Sequence, residues 1–121
     1  MLLGYVKVKA VIANPADKMK KLDVDCLVDT GAIYTMIPRG LLEKVGVRIT
    51  GSRRFKLANG KVEEYPVGEA YVEVGKAGAT SLLVFGPEDA QPLLGVTTLE
   101  LLGLQVDPVA GQLKPLELYL L

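Results

Sequence analysis

The chain has no histidine and no tryptophan, one cysteine, and no excess of charge: Lys plus Arg is 14 and Asp plus Glu is 14. Without histidine there is no Ser-His or Cys-His nucleophile pair and no imidazole metal ligand. One cysteine excludes an intrachain disulfide and a cysteine-rich zinc site. No metal and no cofactor is expected. A neutral balance with pI ≈ 6.3 gives no electrostatic case for nucleic acid or an anionic membrane. The aromatic residues are few, and Tyr5, Tyr34, Tyr65, Tyr71 and Tyr119 are too scattered in sequence to suggest a base-stacking platform. No apolar run approaches the roughly 20 residues of a membrane span. Lys7 and Lys9 interrupt the apolar N-terminal stretch, so no signal-peptide core is visible. With a single cysteine, the expected setting is the reducing cytoplasm. What is present is a hydrophobic half of 121 residues, enough for one domain over residues 1–121 with its own core.

Thirteen glycines and seven prolines are spread along the chain, the punctuation of many short strands. Tyr5 to Ala13 alternates, with Val6, Val8, Ala10 and Ile12 on one face and Lys7 and Lys9 on the other. Asn14 to Asp17 breaks this strand, and Lys18 to Lys21 reads as a solvated basic connection. Val24 to Val28 is the second strand. Thr35 to Pro38 is short and extended, and Pro38 opens a small helix closed by Gly46. Arg53–Leu57 and Val62–Val67 flank Ala58-Asn59-Gly60-Lys61, the strongest hairpin signal in the chain, with Asn59 and Gly60 both suited to positive φ. Glu69 to Val74 alternates, and Thr80 to Phe85 is apolar enough for a central strand. Thr97 to Leu102 reads as a second helix before Gly103. Leu104–Val106, Gln112–Lys114 and Leu116–Leu121 read as short terminal strands. The fold class is all-β with one or two short helices, as a small barrel or sandwich.

One segment carries recognisable chemistry. Asp29-Thr30-Gly31-Ala32 follows the apolar strand end Leu27-Val28, which places a carboxylate at an exposed tight loop. As a turn alone, Asp-Thr-Gly is ordinary. Downstream, Pro92-Leu93-Leu94-Gly95 leads from an apolar strand into the second helix, and the Asn59-Gly60 hairpin lies between the two. Cys26, on the strand before Asp29, reads as a core thiol. Arg53 and Arg54 lie near the hairpin, where an acidic substrate residue could meet them, but solvated surface positions are the simpler reading.

These three elements, in this order and spacing, resemble the retroviral-type (retropepsin-like) aspartic proteases, most closely their small cellular single-lobe members. The likeness runs from Val24 to Pro115. It implies a small closed, barrel-like aspartic protease fold. It implies that Asp29 is the catalytic aspartate, with Thr30 and Gly31 completing the catalytic loop and the Thr30 hydroxyl tying two such loops together. It implies substrate contacts from Ala32 and from a flap built by Leu57, Ala58, Asn59 and Gly60, with Leu94 and Gly95 as a support under the loop. Ile33 departs from the pattern, since small or hydroxyl residues are common there.

An aspartic protease needs two carboxylates that share a proton, one as base and one as acid. This chain has one Asp-Thr-Gly, and Asp23, Asp25, Asp89 and Asp107 lack its context, so the second carboxylate is expected from a second copy on a two-fold axis. The expected function is a homodimeric endopeptidase acting on polypeptide. One competing reading is a module of the same fold that binds a peptide strand with little cleavage. Another is a phosphoaspartate enzyme, which lacks its alternating α/β scaffold and acidic cluster here.

Overall fold

The computed structural model describes residues 6–117 and 120. Strand β1 (Val6–Asn14) turns at Pro15-Ala16 into β2 (Asp17–Val28), pairing antiparallel from Val6↔Val28 to Ala13↔Lys21. The inward side chains are those the alternation selects: Ala10 and Ile12 on β1 and Val24, Cys26 and Val28 on β2 are buried, with Lys7 and Lys9 outside. The basic stretch Lys18–Lys21 is therefore strand, not a loose connection. Its charges are exposed, and the ladder to β1 supplies the backbone hydrogen bonds that define it.

Strand β3 (Thr35–Pro38) runs into helix α1 (Arg39–Lys44), which buries Leu42. Strand β4 (Gly51–Lys56) and β5 (Val62–Val74) form the predicted hairpin. The turn differs from expectation in one respect. Asn59 does not take positive φ; only Gly60 does, at 85°. The Gly60 amide donates to the Leu57 carbonyl at 2.9 Å, and the Leu57 amide to the Lys61 carbonyl at 2.8 Å. A three-residue loop with a left-handed glycine at its end satisfies the strand twist as well as a two-residue turn does.

The two strands expected at Val62–Val67 and Glu69–Val74 are one 13-residue strand. Gly68 reads as punctuation in sequence but is a point of close approach: a β-carbon there would run into the Arg48 carbonyl and lie 3.0 Å from the Phe85 ring. Strand β5 serves three partners. Its first half pairs with β4, its second half pairs with β6 (Ala77–Gly86), and Tyr71–Glu73 also pairs with β1. That last pairing closes the strands, in the order β1, β2, β7 (Leu93–Leu94), β3, β6, β5, into a barrel-like ring, with β4 attached outside it.

The short strand β7 (Leu93–Leu94) slots between β2 and β3, parallel to the first and antiparallel to the second. Helix α2 (Val96–Leu102) follows at once and buries Thr98, Leu99 and Leu102. Strands β8 (Leu104–Asp107) and β9 (Gln112–Pro115) make a separate hairpin. Leu116 and Glu117 are not in a strand; the Leu116 amide donates to the Gly103 carbonyl at 2.8 Å. The rest of the strand expected over Leu116–Leu121 lies outside the described residues except Leu120, which is exposed and not in a strand. Tyr5, assigned to the first strand from sequence, lies outside them too.

The core is built from β1, β2, β5 and β6 with Ile37, Leu42, Leu94, Leu99 and Leu102 packed onto them. Removing a fully buried side chain such as Leu94 costs about 2–5 kcal/mol at a site of this kind.

Candidate active site

The loop 29–34 leaves the end of β2 and returns as β3, and β7 fills the gap this excursion opens. Two hydrogen bonds join loop and filler: Leu27 N–H to the Pro92 carbonyl at 2.9 Å and Asp29 N–H to the Leu94 carbonyl at 3.0 Å. Beyond Asp29 the loop is fastened to the start of α2, with Val96 N–H donating to the Ala32 carbonyl at 2.9 Å and Thr97 N–H to the Ile33 carbonyl at 3.0 Å. This docking requires a glycine at 95, where a β-carbon would sit 2.5 Å from the Tyr34 carbonyl carbon and 2.9 Å from the Ile33 carbonyl oxygen. Leu94 and Gly95 thus lie beneath the loop, where the sequence placed them.

Asp29 is exposed at the turn. Its Oδ1 accepts the Gly31 amide at 2.9 Å and its main-chain carbonyl accepts the Ala32 amide at 3.1 Å. The side-chain bond fixes one carboxylate oxygen to the loop. Thr30 and Gly31 are exposed beside it.

Under the loop lies a group of residues that the sequence reading passed over. Thr35, Ser81 and Thr98 are buried, with exposures of 0%, 1% and 0%. The Thr35 hydroxyl accepts the Gly95 amide at 3.0 Å and lies 2.6 Å from the Thr98 hydroxyl, which lies 2.9 Å from that of Ser81. Ser81 also reaches the Leu82 carbonyl at 3.3 Å. One consistent direction of donation runs Thr35 to Thr98 to Ser81 to Leu82, leaving each hydroxyl with a donor and an acceptor role. No buried side-chain polar atom among the described residues lacks a partner. The signal was readable in part: Thr98 sits at core spacing with Leu99 and Leu102 on α2, so a polar residue on that face needed a buried partner.

Beside the loop is a cavity of about 700 Å³. Its floor carries Gly31, Ala32, Ile33 and Met36, and its far wall comes from Arg53 and Phe55 of β4 and from Leu57 just past that strand. Of the residues expected to contact substrate, Ala32 and Leu57 line it, whereas Ala58, Asn59 and Gly60 form the exposed hairpin tip beyond. Asp29 and Thr30 are on the same loop but not in the cavity lining. Two of the tyrosines scattered in sequence meet here. Tyr34 packs edge-on against Phe55 with centroids 5.8 Å apart, and Phe55 lies 6.0 Å from Tyr65. The Arg53 guanidinium donates to the Tyr34 hydroxyl at 2.7 Å, so β4 is tied across to the loop after Asp29.

Cys26 is fully buried on β2, and burial, aided by the charge of Asp25, pushes its thiol up to about 12. It is a core residue, as its strand position indicated. The described residues contain no group of three His, Cys, Asp or Glu side chains that could hold a metal ion, and no helix among them is long and apolar enough to cross a membrane.

The family model described as "gag-polyprotein putative aspartyl protease" matches residues 18–101, more than half of the chain, taking in the loop, the β4–β5 hairpin, β7 and all but the last residue of α2. The chain belongs to this family. Two retroviral proteases share the fold of this chain. The solution structure of Simian Foamy Virus (mac) protease superposes with a TM-score of 0.55 at 19% identity, covering 78% of this chain and 91% of that one. EIAV protease complexed with the inhibitor HBY-793 superposes with a TM-score of 0.61 at 14% identity, covering 88% and 95%. Comparison with curated protein sequences returned no match.

Proposed function

We propose that this member of the family is an endopeptidase that works as a homodimer, with Asp29 of each copy forming one catalytic dyad. The observation that carries this is the loop itself: an exposed carboxylate at a strand end, one oxygen held by the Gly31 amide, on a loop fastened at both sides by β7 and α2. A lone carboxylate cannot be base and acid in one step. Two on a symmetry axis can, because like charges at close range keep one proton between them.

In this mechanism the ionised Asp29 takes a proton from water as the water oxygen attacks the peptide carbonyl carbon. The protonated Asp29 gives its proton to the carbonyl oxygen. The tetrahedral diol then collapses: the C–N bond breaks, the proton gained from water passes to the leaving nitrogen, and the other Asp29, now ionised, takes a proton from one diol hydroxyl as that oxygen becomes the new carbonyl, which restores the dyad. In this reading Thr30, exposed next to Asp29, bonds across to the partner loop. Ala32 and Leu57 line the cleft, and the tip Ala58-Asn59-Gly60 closes over an extended peptide.

Cleavage of an unstructured protein or peptide library by the wild type, with Asp29→Asn as control, tests the reading. Asn keeps the Gly31 hydrogen bond but cannot exchange a proton, so a loss of about 10³-fold or more is expected. Undiminished cleavage by Asp29→Asn defeats the proposal. Binding of peptide without cleavage by the wild type identifies a peptide-binding module instead.

A further inference from the structure

The cavity beside the Asp29 loop is apolar on its floor, with Ile33 strongly exposed at 66%, yet a cation stands in its wall. Arg53 projects from β4 with its guanidinium 5.6 Å from the centre of the Tyr34 ring and one N–H bonded to the Tyr34 hydroxyl at 2.7 Å. Tyr34 is itself held edge-on by Phe55. A guanidinium has five N–H donors in a planar fork, and Tyr34 occupies one.

Among the described residues no carboxylate oxygen lies within 4.0 Å of the Arg53 guanidinium. Its cross-strand neighbour on β5 is Tyr65, not an acid. Glu63 accepts the Tyr65 hydroxyl at 2.6 Å, and Glu64 accepts the Ser52 hydroxyl at 3.2 Å. Among the described residues the ion pair within 4.0 Å is Arg39–Glu43, on the far helix α1. Arg54 and Lys56 also border the cavity and add to its positive character.

From this arrangement we infer that Arg53 is a specificity-determining residue, and that the cleft selects a peptide with an acidic side chain seated in this cavity. The hydrocarbon stem of a glutamate lies on the apolar floor, and its carboxylate meets the free edge of the Arg53 fork. Pinning by Tyr34 removes much of the rotamer freedom that a surface arginine would lose on binding, so the contact is pre-organised. The charge-assisted, planar geometry favours a carboxylate over the neutral amide of the same shape. This inference rests on the reading of the cleft as a peptide site and names the peptide it takes.

The test uses peptides on a common apolar background in which each position in turn carries Glu, Gln or Lys. Cleavage by the wild type gives kcat/KM, and binding to Asp29→Asn gives Kd without turnover. At one position Glu is expected to be preferred over Gln by about ten-fold, the size of one charge-assisted contact. Arg53→Gln, made in both backgrounds, should bring that ratio to about one, and Arg53→Glu should turn the preference toward Lys. Tyr34→Phe, which keeps the ring and removes the pin, should lower the ratio in part. If no position discriminates Glu from Gln, or if the ratio survives Arg53→Gln, the inference is overturned. Discrimination in binding with no hydrolysis by the wild type overturns the peptidase reading and leaves Arg53 its role. Hydrolysis without discrimination does the reverse, and failure of every peptide to bind overturns both.

Discussion

At the scale of single residues, the position of Asp29 depends on side chains that never touch it. The Thr35 hydroxyl receives the Gly95 amide and passes its own bond toward Thr98, so β3, β7 and α2 meet at one oxygen. Replacing it with the nearly isosteric Val leaves a buried amide and a buried hydroxyl short of a partner. Thr35→Val should therefore cost about 1–3 kcal/mol in urea unfolding and lower proteolytic activity by loosening the loop. Ser81→Ala, at the end of the chain, should cost less. Equal costs would show that the hydroxyls do not act as a directed series. Glycine 95 acts at the same place by having no side chain, since any β-carbon would push the loop off α2.

At the scale of elements, two hairpins behave differently for reasons visible in their turns. The β4–β5 tip closes on Gly60, which needs positive φ and donates its amide to Leu57. Gly60→Pro forbids both. Because the tip is exposed and outside the core, the substitution should reduce proteolysis far more than it lowers the unfolding midpoint. An equal fall in both would argue that the hairpin is structural rather than a flap. Hydrogen exchange should be faster at the tip than in β5 or β6.

The β8–β9 turn is held by Asp107, whose Oδ1 accepts the Val109 amide at 3.0 Å and the Ala110 amide at 3.2 Å. The Ala110 bond first, then the Val109 bond and the charge of Lys114, hold this carboxyl below its ordinary value of 3.8. A depressed folded value means that the contribution to hairpin stability is full above 3.8 and is lost as pH falls through the lower, folded value. The Val109 and Ala110 amide signals should titrate below 3.8 and the hairpin should loosen there. Asp107→Asn keeps the acceptor oxygen and should abolish that titration.

At the scale of the whole molecule, the proposed dyad makes activity a property of association. Specific activity should fall on dilution in step with the dimer fraction measured by sedimentation. A monomer by sedimentation with constant specific activity would remove the two-copy mechanism.

The sequence by itself determined the strand-rich class, the strand faces of β1, the buried place of Cys26, the site of the hairpin, and the segments Asp29–Ala32 and Leu93–Gly95. These are local matters: side-chain alternation, turn chemistry and a short motif are written in neighbouring residues. Tertiary structure decided what depends on residues far apart in the chain. It joined Val62–Val74 into one strand, because the close approach of Arg48 and Phe85 gives Gly68 its reason. It made Lys18–Lys21 a strand, because β1 supplied the ladder. It closed the ring through Tyr71–Glu73 on β1. It also gathered Thr35, Ser81 and Thr98 under the loop, and Tyr34, Arg53, Phe55 and Tyr65 beside it. Apart from Thr98, whose place on the core face of α2 is visible in spacing, neither group has a signature in sequence. A hydroxyl or a guanidinium gains its meaning from the partner that folding brings within hydrogen-bond distance, and that partner is set by strand register and by the slot that β7 fills.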